Sequence, residues 1–105
     1  MRIIKNEKIT VADGTEKEII LSNGGQGDTT TGELYIQTLA SVPFTAEGYV
    51  RADEDAVSIP VINCADYSIT TSPSAAGLYM AMATPYEKVN LTFAGAGDVV
   101  IKTVF

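Results

Sequence analysis

The sequence predicts an all-β domain, a β-sandwich of jelly-roll or Ig-like type with about 8–10 short, mainly antiparallel strands. Three observations predict it. Apolar residues recur at every second position over short runs, the period that puts one face of a strand in a core and the other in water. Glycine, asparagine, aspartate and proline punctuate those runs every ~8–12 residues. Only one stretch has residues at helical spacing. A chain of 105 residues has room for a single domain, 1–105.

Taken in order, Ile9-Thr10-Val11 runs into a turn at Asp13-Gly14, and Glu18-Ile19-Ile20-Leu21 leads away. Asp-Gly readily takes the positive φ of tight turns, so a hairpin is predicted there. Asn23-Gly24-Gly25-Gln26-Gly27-Asp28 reads as a loop between strands. A strand follows over 33–39, with the β-formers Tyr35 and Ile36. Gly48-Tyr49-Val50-Arg51, residues 57–62 and residues 67–71 supply three more. Pro60 cannot donate to a ladder, which predicts an edge position or a bulge.

Residues 72–84 admit two readings. Ser72-Pro73 has the form of an N-cap and first-turn proline, with Ala76, Tyr79, Met80 and Ala83 at helical spacing. Gly77 in mid-segment and the lack of any charged residue for an outer face argue against a helix. As a strand, Leu78, Met80 and Met82 alternate with Tyr79, Ala81 and Ala83, and this reading is preferred.

Lys88–Phe93 shows the plainest alternation, with Val89, Leu91 and Phe93 on one face and Lys88, Asn90 and Thr92 on the other. Ala94-Gly95-Ala96-Gly97-Asp98 is a turn, and 99–105 follows as a strand. Val99, Ile101 and Phe105 share one of its faces; Val100, Lys102 and Val104 share the other. A second hairpin is predicted across this turn. Phe44, Tyr49, Leu91 and Phe93 are the core candidates.

Chemistry is narrowed mainly by what is missing. The chain has no histidine, which removes Ser-His-Asp and Cys-His hydrolysis and the commonest metal ligand. Its one cysteine, Cys64, can form no internal disulfide and no structural zinc site, and reads as a small buried thiol. The formal charge is −6, and the seven basic residues are scattered from Arg2 to Lys102 rather than clustered. Such a surface repels phosphate backbones and anionic lipid, so neither nucleic acid nor membrane is an expected partner.

Residues 23–28 lack the Gly-Lys-Ser/Thr and following helix of a phosphate cradle. Asp53-Glu54-Asp55 lacks the spaced oxygen ligands of a calcium loop and reads as a solvated turn. The sequon Asn90-Leu91-Thr92 carries little weight, because Met1-Arg2-Ile3-Ile4-Lys5 has no apolar signal-peptide core. No run approaches the ~20 apolar residues of a membrane helix. The chain is therefore expected not to be an enzyme, with no catalytic, cofactor-binding or metal residues and no cofactor. Hydrolysis by carboxylates alone stays as a minor alternative.

The second half carries a resemblance. Ser58-Ile59-Pro60-Val61, Tyr67-Ser68-Ile69-Thr70-Thr71 and Gly77-Leu78-Tyr79 follow one another in order. Tyr86-Glu87-Lys88-Val89-Asn90-Leu91 and Gly97-Asp98-Val99-Val100-Ile101-Lys102 come after them. From residue 42 to the end, this succession resembles small β-sandwich structural proteins of tailed-bacteriophage virions. Thr84-Pro85 departs from the pattern, where a glycine turn is usual.

The resemblance implies a virion structural protein, folded in the host cytoplasm, that decorates or stabilises the capsid surface through contacts with capsid or other virion proteins. It also implies a homo-oligomer, frequently a trimer. The alternative is a tail, baseplate or head-fibre module that binds host-surface carbohydrate, with Tyr35, Tyr67, Tyr79 or Tyr86 on the binding face.

Overall fold

A computed structural model describes residues 4–20, 32–51, 55–83 and 86–104. The described residues form ten strands and no helix. They are β1 (Ile4–Val11), β2 (Glu16–Ile20), β3 (Glu33–Thr38), β4 (Phe44–Tyr49), β5 (Val57–Ile59), β6 (Val61–Asn63), β7 (Ile69–Thr70), β8 (Gly77–Met82), β9 (Lys88–Phe93) and β10 (Gly97–Val104). One sheet has six strands in the order β1-β10-β3-β8-β6-β7, and the other has four, β2-β9-β4-β5. All pairings are antiparallel.

The pairing is nested. The first strand pairs with the last, Ile4 opposite Val104. Then β2 pairs with β9, β3 with β8, and β4 with β5. Successive pairs lie in alternate sheets, so the chain is one long antiparallel ribbon rolled into two layers. That is the jelly-roll arrangement, with β6 and β7 inserted as a short hairpin before β8.

This nesting corrects both predicted hairpins. Ile9-Thr10-Val11 and Glu18-Ile19-Ile20 flank Asp13-Gly14 but lie in different sheets. Gly14 does have positive φ, 88°, yet its N–H donates 2.7 Å to the carbonyl of Phe93, on a distant strand. Likewise β9 and β10 do not pair with each other. The link between them arches from one sheet to the other, and the Ala94 N–H donates to the carbonyl of Pro43 at 2.8 Å. Three arches, β1 to β2, β9 to β10 and β3 to β4, thus stack at one end of the sandwich. Gly97 is needed there because a Cβ would come within 2.8 Å of Val42 Cγ2.

Two further expectations shift. Residues 57–62 are not one strand; the chain leaves the four-stranded sheet with β5, passes Pro60 and enters the six-stranded sheet as β6. Proline suits such a corner because it has no ladder N–H to lose. The strand expected at Gly48-Tyr49-Val50-Arg51 begins earlier, at Phe44. For 72–84 the strand reading holds: β8 buries Tyr79 and Ala81, and Ala83 just beyond it, while Leu78 and Met82 are exposed.

The core lies between the sheets. Phe44, Leu91, Phe93, Val89 and Ala46 come from the smaller sheet, and Leu34, Ile36, Tyr79, Val99 and Ile101 from the larger. Phe44 meets Tyr79 edge-on, ring centroids 5.6 Å apart, and lies 6.0 Å from Phe93. The buried Thr38 hydroxyl accepts the Gly77 N–H at 3.2 Å, so no polar atom is stranded there. Tyr49, expected in this core, instead faces outward on the smaller sheet, where Lys88 Nζ sits 4.2 Å over its ring.

Candidate interaction surface

Residues in register share a face, so the core residues fix which positions point outward. On the smaller sheet the outward set includes Glu16 and Glu18 of β2, Asn90 and Thr92 of β9, Thr45 and Glu47 of β4, and Ser58 of β5. Asn90 donates to Glu16 at 2.9 Å, and Lys88 pairs with Glu18 at 3.5 Å. This face is mainly polar and acidic, as the outer face of a two-layer sandwich should be, with Ile20 and Tyr49 flanking Lys88 in its last row.

The larger sheet differs. Its middle row runs Asn6, Lys102, Tyr35, Met80, Ile62, Ile69 from β1 across to β7. The neighbouring rows are Lys8, Val100, Gln37, Leu78 on one side and Val104, Glu33, Met82 on the other. From β10 to β7 the outward positions are mostly apolar. Ile69 is 69% exposed, Met82 62% and Leu78 42%. Scattered surface apolar residues are ordinary; a set that is contiguous in register makes this face the candidate interaction surface.

At one end this face is concave. Asn6, Glu33, Tyr35, Gln37, Leu78, Val100, Lys102 and Val104 line a groove of about 510 Å³ that spans β1, β10, β3 and β8. The Tyr35 hydroxyl donates to Glu33 at 2.9 Å, which fixes the ring in the groove. None of the ion pairs described here uses Lys102.

At the other end stands the β6–β7 hairpin. Its turn is tightly bonded: the Tyr67 N–H donates to the Asn63 carbonyl at 2.7 Å and the Asn63 N–H to the Ser68 carbonyl at 2.8 Å. Asp66 accepts from both the backbone N–H and the hydroxyl of Ser68, at 2.9 and 2.7 Å. Those two bonds, the backbone one foremost, hold the Asp66 carboxyl below the usual aspartate range. Tyr67 sits in this turn at φ 62°, uncommon for a bulky residue, and is 80% exposed.

The edges are defended on one side only. At β1 and β2, Glu7 and Lys17 occupy inward-facing positions and pair at 2.9 Å across the mouth of the sandwich. Inward charges on an edge discourage strand addition. On the other side, β5 and β7 are merely short, three and two residues.

The tyrosines offered for a binding face, Tyr35, Tyr67, Tyr79 or Tyr86, lie in different places. Tyr79 is buried and donates to the Ala75 carbonyl at 2.7 Å. Tyr86 is half-buried against the core. Tyr35 lies in the groove and Tyr67 on the hairpin. Cys64 is half-buried rather than fully so. Residues 23–28, Asp53, Glu54 and Thr84-Pro85 lie outside the described residues; Asp55 is exposed. Among the described residues no three His, Cys, Asp or Glu side chains are grouped to hold a metal ion, and no helix is long and apolar enough to cross a membrane.

No protein-family model matches the chain, and no curated protein matches it. Among solved structures, the fold is similar to that of the SPBc2 prophage-derived protein YomS, with TM-score 0.65 and 14% identity over 97% of this chain and 93% of that one. A weaker likeness, TM-score 0.49 and 14% identity over 100% of this chain and 89% of the other, is to a chain from Bacillus endospore appendages described as disulfide-linked pili.

Proposed function

We propose that the chain is a non-enzymatic structural protein of a bacteriophage particle, an auxiliary or decoration component of the capsid surface. The observation that carries this reading is the asymmetry of the two outer faces. One is mainly polar and acidic, while the other presents Leu78, Met80, Met82, Ile62 and Ile69 in adjacent register with no layer formed over them among the described residues. Such a face lowers its free energy by burial against protein neighbours, at roughly 25 cal/mol per Å² of apolar surface. The shared fold with a prophage-derived protein supports the phage setting.

Mass spectrometry of purified particles tests the reading. The chain is expected in many copies per particle. Its absence from particles that otherwise assemble normally overturns the proposal.

One observation favours a second reading, a tail, baseplate or head-fibre module that binds carbohydrate. The groove combines the ring of Tyr35 with Asn6, Glu33, Gln37 and Lys102, side chains able to bond sugar hydroxyls. A glycan array answers it: binding that Tyr35→Ala abolishes supports the module, and a blank array removes it.

A further inference from the structure

We infer that Asp13-Gly14 is a latent modification site. It cyclises and isomerises to isoaspartate when the β1–β2 arch opens, and the product keeps the arch from closing again.

The residue types supply the chemistry. Asp13-Gly14 is the one Asp-Gly pair in the chain, and glycine has no side chain to hinder attack by its own backbone nitrogen. That nitrogen bonds to Asp13 Cγ, and a carboxyl oxygen leaves as water with the amide proton. The resulting five-membered succinimide then takes up one water. Opening at Cγ restores aspartate. Opening at the backbone carbonyl leaves Gly14 joined to Cγ, which is isoaspartate. Water is the only co-reactant, and both residues are exposed to it.

The closed arch blocks the first step. The Thr15 N–H donates to the Ala12 carbonyl at 3.0 Å, so Asp13 and Gly14 are the central residues of a four-residue turn. Gly14 has φ 88°, whereas Tyr67 is the only non-glycine with positive φ among the described residues. Negative φ followed by positive φ is the type II turn, whose first central residue has ψ of roughly +120°. Ring closure needs Asp13 Cβ nearly eclipsed with the Gly14 nitrogen, which is a rotation of roughly 120° away from that ψ. The same rotation swings the Gly14 N–H off the Phe93 carbonyl, to which it donates at 2.7 Å. Neighbouring bonds resist the change. Thr15 Oγ1 accepts the Ala12 N–H at 2.9 Å, and the Thr15 carbonyl accepts the Phe93 N–H at 2.8 Å.

The product does not fit the same place. Isoaspartate routes the chain through Cβ and adds one backbone atom between Ala12 and Thr15. Both ends of the turn are fixed: Val11 lies opposite Gly97 in one sheet and Glu16 opposite Thr92 in the other. The longer link therefore gives up at least one of the bonds to Phe93.

Incubation of the folded chain at physiological pH and temperature tests this, with a peptide of residues 10–17 in the same buffer as the unfolded reference. Isoaspartate located at residue 13 by mass spectrometry is expected to form roughly tenfold or more slowly in the folded chain, because opening must come first. The slowing should equal the protection of the Gly14 amide against hydrogen exchange, since one opening frees one N–H. Thr15→Val removes an exposed bond of the arch. It is expected to raise the rate and lower the protection together, with an unchanged circular dichroism spectrum.

Equal rates in the folded chain and the peptide overturn the inference. So does slowing without protection of the Gly14 amide, or a Thr15→Val chain in which one quantity changes and the other does not. A purified isoaspartyl form whose Gly14 amide is as protected as before overturns the second half. None of these outcomes depends on the presence of the chain in particles.

Discussion

Single positions show how closely the interior is packed. Gly48 lies in β4, where a Cβ would come within 2.5 Å of the Tyr86 ring and 2.8 Å of Ile59 Cδ1. Gly48→Ala is expected to destabilise the fold by about 1–3 kcal/mol, the usual cost of overpacking. Urea unfolding measures it, and an unchanged midpoint contradicts the packing described. Asp66 makes a pH prediction. Its carboxyl titrates lower in the folded state than in the unfolded one, so the unfolded chain binds more protons in that range. The turn is therefore fully stabilised above the usual aspartate range and loses that support as pH falls through the depressed pKa. An NMR titration of the Ser68 amide should report a midpoint below the ordinary aspartate value; one at or above it contradicts the bonding.

At the level of strands, alternation was legible and pairing was not. Val89, Leu91 and Phe93 point inward as their spacing predicts, and the preferred strand over 72–84 forms with the expected parity. The turns misled because an arch and a hairpin use the same residues. Asp13-Gly14 supplies positive φ in either case, and only the destination of its hydrogen bonds, here Phe93, separates the two. Pro60 announced an interruption but not a change of sheet.

The apolar outer face had a signal in the sequence that alternation alone passes over. Leu78-Tyr79-Met80-Ala81-Met82 and Val99-Val100-Ile101 are apolar at both parities, which is how strands covered on both faces read. Edge chemistry supplies a prediction at this scale. Lys17→Leu removes an inward charge from the β2 edge and breaks a partly exposed ion pair. Stability is expected to change by no more than ~1 kcal/mol, while aggregation at high concentration, followed by light scattering, increases. A large loss of stability without aggregation contradicts the defensive role.

Across the described strands, nesting makes most ladders long-range, from Glu16 opposite Thr92 to Ile4 opposite Val104. Closing such loops costs entropy before contacts repay it, so folding is expected in roughly milliseconds to seconds, as for other all-β sandwiches. Stopped-flow refolding checks this, and microsecond folding contradicts the topology. The same roll produces the asymmetry on which the functional reading depends. Two layers suffice to hide Phe44, Phe93 and Tyr79, yet the larger sheet is built with apolar residues on both sides. Among the described residues, no third layer covers that second apolar side.

Hydroxyl-radical footprinting, read by mass spectrometry on the purified chain alone and on the chain within purified particles, tests most directly whether the apolar face is covered there. Leu78, Met82 and Tyr67 should be labelled in the chain alone and protected in the particle, while Ile20, on the outer face of the smaller sheet, retains more of its labelling. Equal labelling of Leu78 and Met82 in both states would contradict the account.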